Sequence, residues 1–391
     1  GARLADEMRR RAPDRCDVTI VGAEPIPAYN RILLSAVLAG DKSLPEIFLD
    51  PRAADAAGTT VIVGETVSRI DRERRQIATA SGRAVAYDTL VLATGSHPLV
   101  PPLPGTGLPG VVTFRDIHDV TVMIAAAARR GRAVVIGGGL LGLEAAEGLR
   151  RRGMTVTVVH LMPSLMERQL DRDAARLLQA SLEARGIAFE LAAKTTEILG
   201  PKRVRGVRLE DGRQLPADLV VLAIGIVPNV DLARAAGLAC GRGVIVDDGM
   251  CTSDPAVHAV GECAEHRGRS YGLVAPLWEQ VEVCAARLAG DAEARYAGST
   301  LATSLKVAGI DVYSAGDPSA GGGEEIVFRD PGRGVYRKLV LRDGRLTCAV
   351  LYGDAADGAW YAEAMRAERP VGDIRTSLIF GKAFADSAAA A

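Results

Sequence analysis

Apolar and polar positions follow their clearest order between Arg132 and His160, in RAVVIGGGLLGLEAAEGLRRRGMTVTVVH. The unbroken apolar run Ala133 to Ile136 suits a strand covered on both faces, and Val156 to Val159 suits a second. Between them, Leu143 to Arg152 carry a helical pattern. The segment therefore predicts strand, helix, strand, with Gly137, Gly139 and Gly142 in the first turn. A G-x-G-x-x-G in that setting lets backbone N–H groups approach a pyrophosphate lying on the positive end of the helix. The plainer reading is a glycine-rich turn in an ordinary βαβ unit.

The same rhythm occurs twice. GLEAAEGLRRR (142–152) lies in register over GARLADEMRRR (1–11), sharing the glycine, Ala146 with Ala5, and three arginines. VTVV (156–159) then matches VTIV (18–21) after a longer turn. Downstream, DTLVLATGSHP (88–98) and DLVVLAIGIVP (218–228) share the Asp, a Val-Leu-Ala core, the Gly and the Pro. Two copies of one nucleotide-binding fold are thus predicted, with Gly1 as the third glycine of the first copy. A strand and two glycines, on the order of ten residues, are expected ahead of Gly1 in the natural protein. Such a strand lies mid-sheet, where its loss would expose its neighbours' backbone groups.

Composition narrows the classes. A chain of 391 residues suffices for two or three domains. A net charge of -1 offers no large basic field, so neither nucleic acid nor a membrane surface is an expected partner. No apolar run approaches the ~20 residues that span a bilayer, and nothing reads as a signal peptide. Arg9, Arg10 and Arg11 form a tight basic cluster and read as a solvated helix end. The six cysteines are Cys16, Cys240, Cys251, Cys263, Cys284 and Cys348, no two of them two to four residues apart. That spacing spells neither a zinc ribbon nor a redox dithiol. With five scattered histidines, no metal site is expected. A cytoplasmic protein with reduced thiols is.

Two dinucleotide sites in one chain suggest a flavin and a nicotinamide. The order of glycine loop, VLATGSHP, second glycine loop, AIGIVPN and SDPAVHAVGEC resembles the two-dinucleotide-binding flavoprotein family, which includes glutathione, ferredoxin and rubredoxin reductases. Within it, PAYNRILLSAVLAG (27–40), VTVVHLMPSLMERQLD (156–171), GECAEHRGRSYGLVAPLWEQ (261–280) and LKVAGIDVYSAGD (305–317) point to a closer likeness. They resemble the FAD-binding N-terminal portion of assimilatory NAD(P)H-nitrite reductase large subunits, and the similar electron-transfer subunits of assimilatory nitrate reductases. The resemblance covers nearly the whole chain. It implies FAD and NADH (or NADPH) as cofactors, hydride transfer to flavin N5, and one-electron delivery to an external centre.

On the flavin side, Glu24 closes the strand Val18 to Val21 where an acid accepts both ribose hydroxyls of a bound adenosine, or it is a surface acid in a turn. The remaining flavin assignments come from the resemblance. Arg31, in YNRILLS, stands beside the flavin, where its charge stabilises electron density on the reduced ring, or is a pyrophosphate or surface arginine. Val67 meets adenine through its backbone, or is a plain strand valine. Ala93, Thr94 and Gly95 form the ATG turn over the flavin. Glu262 stands where the wider family has an Asp holding a ribityl hydroxyl, and the nitrite-reductase-like subgroup has GEC. Cys263 beside it reads as a small buried thiol. The helix begun by LVAPLWEQ has Pro276 in its first turn, where a missing N–H costs nothing. Its positive end, through the backbone of Ala275 and Leu277, would stabilise reduced flavin.

On the nicotinamide side, Gly137, Gly139, Leu141, Gly142 and Gly225 are the candidate contacts. Glu144 resembles the family glutamate that lines the nicotinamide pocket; its alternative is a solvated first-turn acid favoured by the helix dipole. His160 ends the second strand, where Asp or Glu would announce NAD and a nearby Arg would announce NADP. Histidine is neither, and since no basic pair follows, NADH is favoured.

Disulfide reductases of this superfamily keep a cysteine pair in one of the two nucleotide domains. YNRILLSAVLAG has none, and the nicotinamide segment has only Cys240, so electrons are not expected to leave through a protein disulfide. The hydride step requires no side-chain acid or base, and no catalytic residue is assigned. The cysteine spacings fit neither an iron–sulfur cluster nor a sirohaem site, which lie further along the resembling large subunits.

The expected architecture is α/β with two Rossmann-like domains and a small C-terminal α/β domain. The FAD-binding domain covers 1–116 and 243–295, the NAD(P) domain is inserted at 117–242, and the C-terminal domain covers 296–391. In the last, GVYRKLVLRDGRLTCAVLYGD (334–354) reads as a hairpin turning at Asp343-Gly344. Gly321 to Gly323 read as a flexible joint or a loop tip, and the terminal alanine tract as disordered or an artefact. The preferred function is a reductase module feeding an iron–sulfur, sirohaem or molybdenum centre in nitrite or nitrate assimilation. A free-standing ferredoxin or rubredoxin reductase is the alternative, and an FAD-dependent redox sensor or scaffold a second. Homo-oligomers are left open, and a chain beginning at Gly1 is expected to hold FAD weakly.

Overall fold

The computed structural model describes residues 1–13, 15–49, 58–307, 309–318 and 320–389. They gather into two compact units. The first comprises Gly1–Ile32, Ser43–His97 and Ile226–Ser299; the second comprises Leu33–Lys42, Pro98–Gly225 and Thr300–Ala391.

The second unit is built on a five-stranded parallel sheet. Strand Arg132–Ile136 lies at its centre, between Thr155–Val159 and Leu219–Leu222, with Ile187–Glu190 and Val111–Thr113 at the edges. Helices and a small antiparallel sheet (Thr195–Leu199, Gly206–Leu209, Gln214–Pro216) cover it. The central strands are therefore buried on both faces, which explains their unbroken apolar sequence. Helix Leu140–Arg151 follows the glycine turn and packs against helix Leu34–Ala39. A Cβ added at Gly148 would stand 2.7 Å from the Leu38 side chain, so a glycine permits this close crossing. Arg152 then donates to the carbonyls of Val37 and Leu38, satisfying the end of the shorter helix.

The C-terminal part of this unit is a five-stranded antiparallel sheet in the order Ala302–Val307, Ile310–Gly316, Arg345–Tyr352, Val335–Arg342, Glu324–Asp330. The hairpin turns at Asp343 and Gly344, as the sequence predicts, and both residues have positive φ (49° and 69°), as a two-residue turn between twisted strands demands. One face of the sheet, including Leu339 and Leu351, packs on Tyr361 of helix Gly358–Arg366. The opposite face meets helix Arg172–Glu183, where Ser181 bonds Tyr352 at 2.6 Å. Gly321 does not act as a loose joint: its carbonyl and that of Ala320 accept from Arg342, at 2.6 and 2.8 Å. The terminal alanines, expected to lack order, continue helix Lys382–Ala389; Ala390 and Ala391 lie outside the described residues, as does Ala308 of the LKVAGIDVYSAGD string.

In the first unit, helix Ala2–Arg11 packs on helix Val274–Leu288 over a core that includes Leu4, Met8, Leu92, Val257 and Val281. Parallel pairs join Val18–Gly22 to Thr59–Val63, Leu90–Leu92 to Val257–Ala259, and Val244–Val246 to Ala264–His266. An antiparallel sheet of Val67–Asp71, Gln76–Thr79 and Ala84–Ala86 lies alongside. Among the described residues no strand joins Val18–Gly22 to Leu90–Leu92 as Arg132–Ile136 joins their counterparts in the second unit. The basic cluster is more engaged than a solvated helix end. Arg9 pairs with Asp6, and Arg10 and Arg11 pair with Glu7, itself only 3% exposed. Among the described residues no helix is long and apolar enough to cross a membrane.

Candidate dinucleotide sites

In the second unit the three motif glycines do three different things. Gly137 has φ +123°, and a Cβ there would fall 2.3 Å from the Ala223 carbonyl oxygen. Gly142 lets helix meet strand: its Cβ would stand 1.9 Å from the Gly137 carbonyl oxygen. Gly139 has open space around it, and it caps helix Leu140–Arg151 without a side-chain hydrogen bond. The first N–H groups of that helix are thus presented beside a glycine with no side chain in the way, the arrangement a pyrophosphate requires. Leu141 is exposed on the same turn. Gly225, at φ +128°, follows the parallel strand Leu219–Leu222.

His160 is built into this turn. Its Nδ1 accepts the Gly138 N–H at 3.1 Å, and its Nε2 lies 3.1 Å from the Glu167 carboxylate. Glu144 is half-buried and accepts a hydrogen bond from Ser35 Oγ. Burial lifts its carboxyl above the usual 4.5, and the Ser35 bond only partly offsets this. The folded state therefore binds this proton more tightly than the unfolded chain. Stability from this group is full below the unfolded value and falls as pH rises toward the folded one. Glu144→Gln, which keeps an acceptor for Ser35, is expected to raise the melting temperature at pH 7.5 and to match the parent near pH 4. Thermal melts across that range check it; a difference that does not change with pH would contradict it.

In the first unit, Glu24 and Arg31 come together. The Arg31 guanidinium pairs with Glu24 and with Tyr29 Oη (2.6 Å), and lies 4.8 Å from the Tyr29 ring centroid; Tyr29 donates to Glu24 at 2.8 Å. Arg31, expected beside the flavin, thus neighbours the acid at the strand end. Gly1, the ATG turn and Glu262 also converge. A Cβ on Gly1 would stand 4.0 Å from Ala93 Cβ. Ser96 donates to Glu262 at 2.8 Å. Thr94 and Gly95 are clamped by Asn229, whose side chain donates to the Thr94 carbonyl (2.7 Å) and whose backbone donates to that of Gly95 (2.9 Å). Gly261, next to Glu262, donates to Gln280 Oε1 at 2.9 Å, tying this loop to helix Val274–Leu288. That helix begins without a side-chain cap, with Ala275 exposed and Leu277 half-buried. Gln280 is fully buried, with Nε2 unpartnered among the described residues. Val67 opens an antiparallel strand, paired with Thr79.

These residues fit a flavin dinucleotide: an acid at a strand end, a turn against the start of a helix, and a second helix N-terminus with unspent donors. Cys263 is a buried thiol, donating to the Leu92 and Val260 carbonyls at 3.4 Å each. Sequence reading missed Ser35, Ser96, Asn229, Glu167 and Gln280. Ser96 and Asn229 end the repeated strings VLATGS and AIGIVPN and could have been found there; the others act only through folding.

Comparison with known proteins adds a lineage to this geometry. Residues 1–286 match the family model described as pyridine nucleotide-disulphide oxidoreductase, and 302–369 match the rubredoxin NAD+ reductase C-terminal domain. The chain is 48% identical over 360 residues to a nitrite reductase [NAD(P)H] of Bacillus subtilis, covering 92% of this chain and 45% of that protein. It is 42% identical to the assimilatory nitrate reductase electron transfer subunit of the same organism, covering 97% of this chain and 49% of that one. The chain thus spans about half the length of these relatives. Among solved structures, the ferredoxin reductase for the CYP199A2 system of Rhodopseudomonas palustris superposes with a TM-score of 0.84 at 30% identity, covering 92% and 90% of the two chains.

Proposed function

From a chain that belongs to the pyridine nucleotide-disulphide oxidoreductase family, with two Rossmann-like domains and a smaller C-terminal α/β domain, we propose a reductase that feeds a nitrite or nitrate reductase centre. It is an FAD-dependent NAD(P)H oxidoreductase module. The observation that carries the proposal is the glycine turn of the second unit and its partial repeat from Gly1 in the first, combined with the likeness to the two Bacillus subtilis proteins. We assign FAD to 1–116 and 243–295 and NAD(P)H to 117–242, with 296–391 as the C-terminal domain. The acceptor is an iron–sulfur, sirohaem or molybdenum centre on a further domain or subunit, and the six free cysteines suit the cytoplasm.

Bound FAD supplies the chemistry of accepting a hydride and releasing electrons singly. The chain's own residues bind and orient. Gly139 and the first N–H groups of helix Leu140–Arg151 hold the nicotinamide pyrophosphate. Glu24 holds the flavin ribose, Glu262 with Ser96 the ribityl chain, and the Ala275 and Leu277 N–H groups the pyrimidine edge. Asn229 keeps the Ala93–Gly95 turn in place. No side chain need exchange a proton with NAD(P)H.

The test is anaerobic mixing of the FAD-loaded protein with NADH. Rapid bleaching followed by many turnovers with ferricyanide is expected; bleaching without turnover would favour a redox sensor. The match across 90% of a ferredoxin reductase favours a second reading, reduction of a free ferredoxin. Faster turnover with a [2Fe–2S] ferredoxin than with a sirohaem-bearing partner would select it.

A further inference from the structure

We propose that Glu167, acting through His160, makes the adenosine end of the nicotinamide site select NADH over NADPH. The proposal rests on the NAD(P)H reading of that site and adds a positioning residue to it.

The strand that should end in an acid ends in His160. A backbone N–H can only donate, so the Gly138 N–H fixes His160 Nδ1 as an acceptor. The neutral ring must then carry its proton on Nε2, which faces Glu167 Oε2 at 3.1 Å. The ring is withdrawn from solvent, at 11% exposure, whereas the Glu167 side chain keeps 32%. A carboxylate is thus delivered to the strand end from seven residues away, still facing water where a nucleotide would arrive.

The loop that carries Glu167 is pinned at both ends. Met166 N–H donates to the Gly138 carbonyl at 3.1 Å, so Gly138 is held on one side by His160 and on the other by the residue preceding Glu167. Leu165 and Met166 are fully buried, and Met166 holds a left-handed backbone at φ +51°, a conformation that an unbranched residue keeps only when its surroundings enforce it. At the start of the loop, the carbonyls of His160 and Met162 accept from Ala193 and Ala192, at 2.9 and 3.0 Å. A Cβ on Gly138 would meet both the His160 ring and Leu165 at 2.8 Å, so the glycine turn, the histidine and the loop pack as one body.

Arg168, next to Glu167, is exposed and enters neither bond of the relay. Glu190, ending the neighbouring strand, is paired with Arg213 at 2.7 Å. Glu167 is the carboxylate that stands at this strand end, beside His160, toward a ribose 2′ substituent. A hydroxyl tolerates or bonds a carboxylate; a 2′-phosphate is repelled by it.

The experiment is calorimetric titration of the FAD-loaded chain with NAD+ and with NADP+, alongside kcat/KM for NADH and NADPH. Glu167→Gln keeps an oxygen that accepts from Nε2 and removes the charge. Its affinity for NADP+ relative to NAD+ is expected to rise about tenfold. Glu167→Asp, which keeps the charge, is expected to keep the preference. An unchanged ratio in Glu167→Gln overturns the proposal, and so does an equal loss of both nucleotides, which would make Glu167 a mere prop. The imidazole 15N spectrum gives an independent reading: a protonated Nδ1 in the parent breaks the relay. If the parent binds neither nucleotide, the reading of the site itself fails, and this proposal with it.

Discussion

Gly139→Ala is expected to leave the melting temperature within about 1 °C of the parent while raising the Kd for NAD+ on the order of a hundredfold. Gly139 has φ -85° and ψ -174°, ordinary extended backbone for alanine, and nothing lies within 4 Å of the added methyl. The folded state loses nothing, but the methyl occupies the open side of the turn from which a pyrophosphate approaches the helix N–H groups. Gly142→Val is expected to fail differently. Its Cβ would overlap the Gly137 carbonyl oxygen at 1.9 Å, so helix and strand must separate. Overpacking of that kind costs about 1–3 kcal/mol, and the displaced turn loses the nucleotide as well. The pair separates binding from folding: one variant stable and empty, the other unstable and empty. Full NAD+ affinity in a well-folded Gly139→Ala would mean that the pyrophosphate does not lie on this turn.

What could be read in advance followed from how local each cause is. The glycine turn, the helix after it and the flanking strands are set by backbone sterics and apolar runs, and both survive translation into a string of letters. The internal repeat made Gly1 and the ATG turn legible for the same reason, because a turn carries its own residues with it. Asp343-Gly344 was equally readable, since a two-residue hairpin needs positive φ at both positions. The pairings were not. Glu24 with Arg31, Ser35 with Glu144 and His160 with Glu167 depend on which surfaces the fold brings together. Ser35 and Glu144 lie 109 residues apart in the chain, and no spacing rule reaches so far. His160 shows the limit most clearly. As a letter it was neither of the expected strand-end residues; its meaning comes from one backbone amide and one carboxylate seven residues on. Of Arg9–Arg11, read as a solvated helix end, Arg10 and Arg11 pair instead with the buried Glu7, a partner that only the folded helix brings into reach.

Asp171→Ala is expected to destabilise the second unit by roughly 3–4 kcal/mol, because this residue holds three separate groups. Its side chain caps helix Arg172–Glu183, accepting from the Ala174 N–H at 3.1 Å. The same carboxylate accepts from Tyr336 Oη at 2.6 Å and stands 3.6 Å from Lys338 Nζ, both from the C-terminal sheet. Tyr336 is 2% exposed and Lys338 8%, so neither finds water when the acid is removed. Loss of the cap contributes about 1 kcal/mol, and an orphaned buried hydroxyl about 1–3 kcal/mol. Lys338 loses less, because Glu325 remains 2.7 Å away. For a body of this size that corresponds to a fall of roughly 10 °C in melting temperature. Asp171→Asn separates the terms. Asparagine caps as well as aspartate and still accepts from Tyr336, so only the charge facing Lys338 is lost, and a fall of about 1 kcal/mol or less is expected. Equal losses in the two variants would show that the ion pair, rather than the cap and the phenol, holds the helix to the sheet. Because the loop bearing Glu167 runs directly into Asp171, NAD+ binding is expected to weaken in the alanine variant and to persist in the asparagine one. Calorimetry on both variants therefore reads the docking of the C-terminal sheet and the order of the nucleotide loop in one measurement.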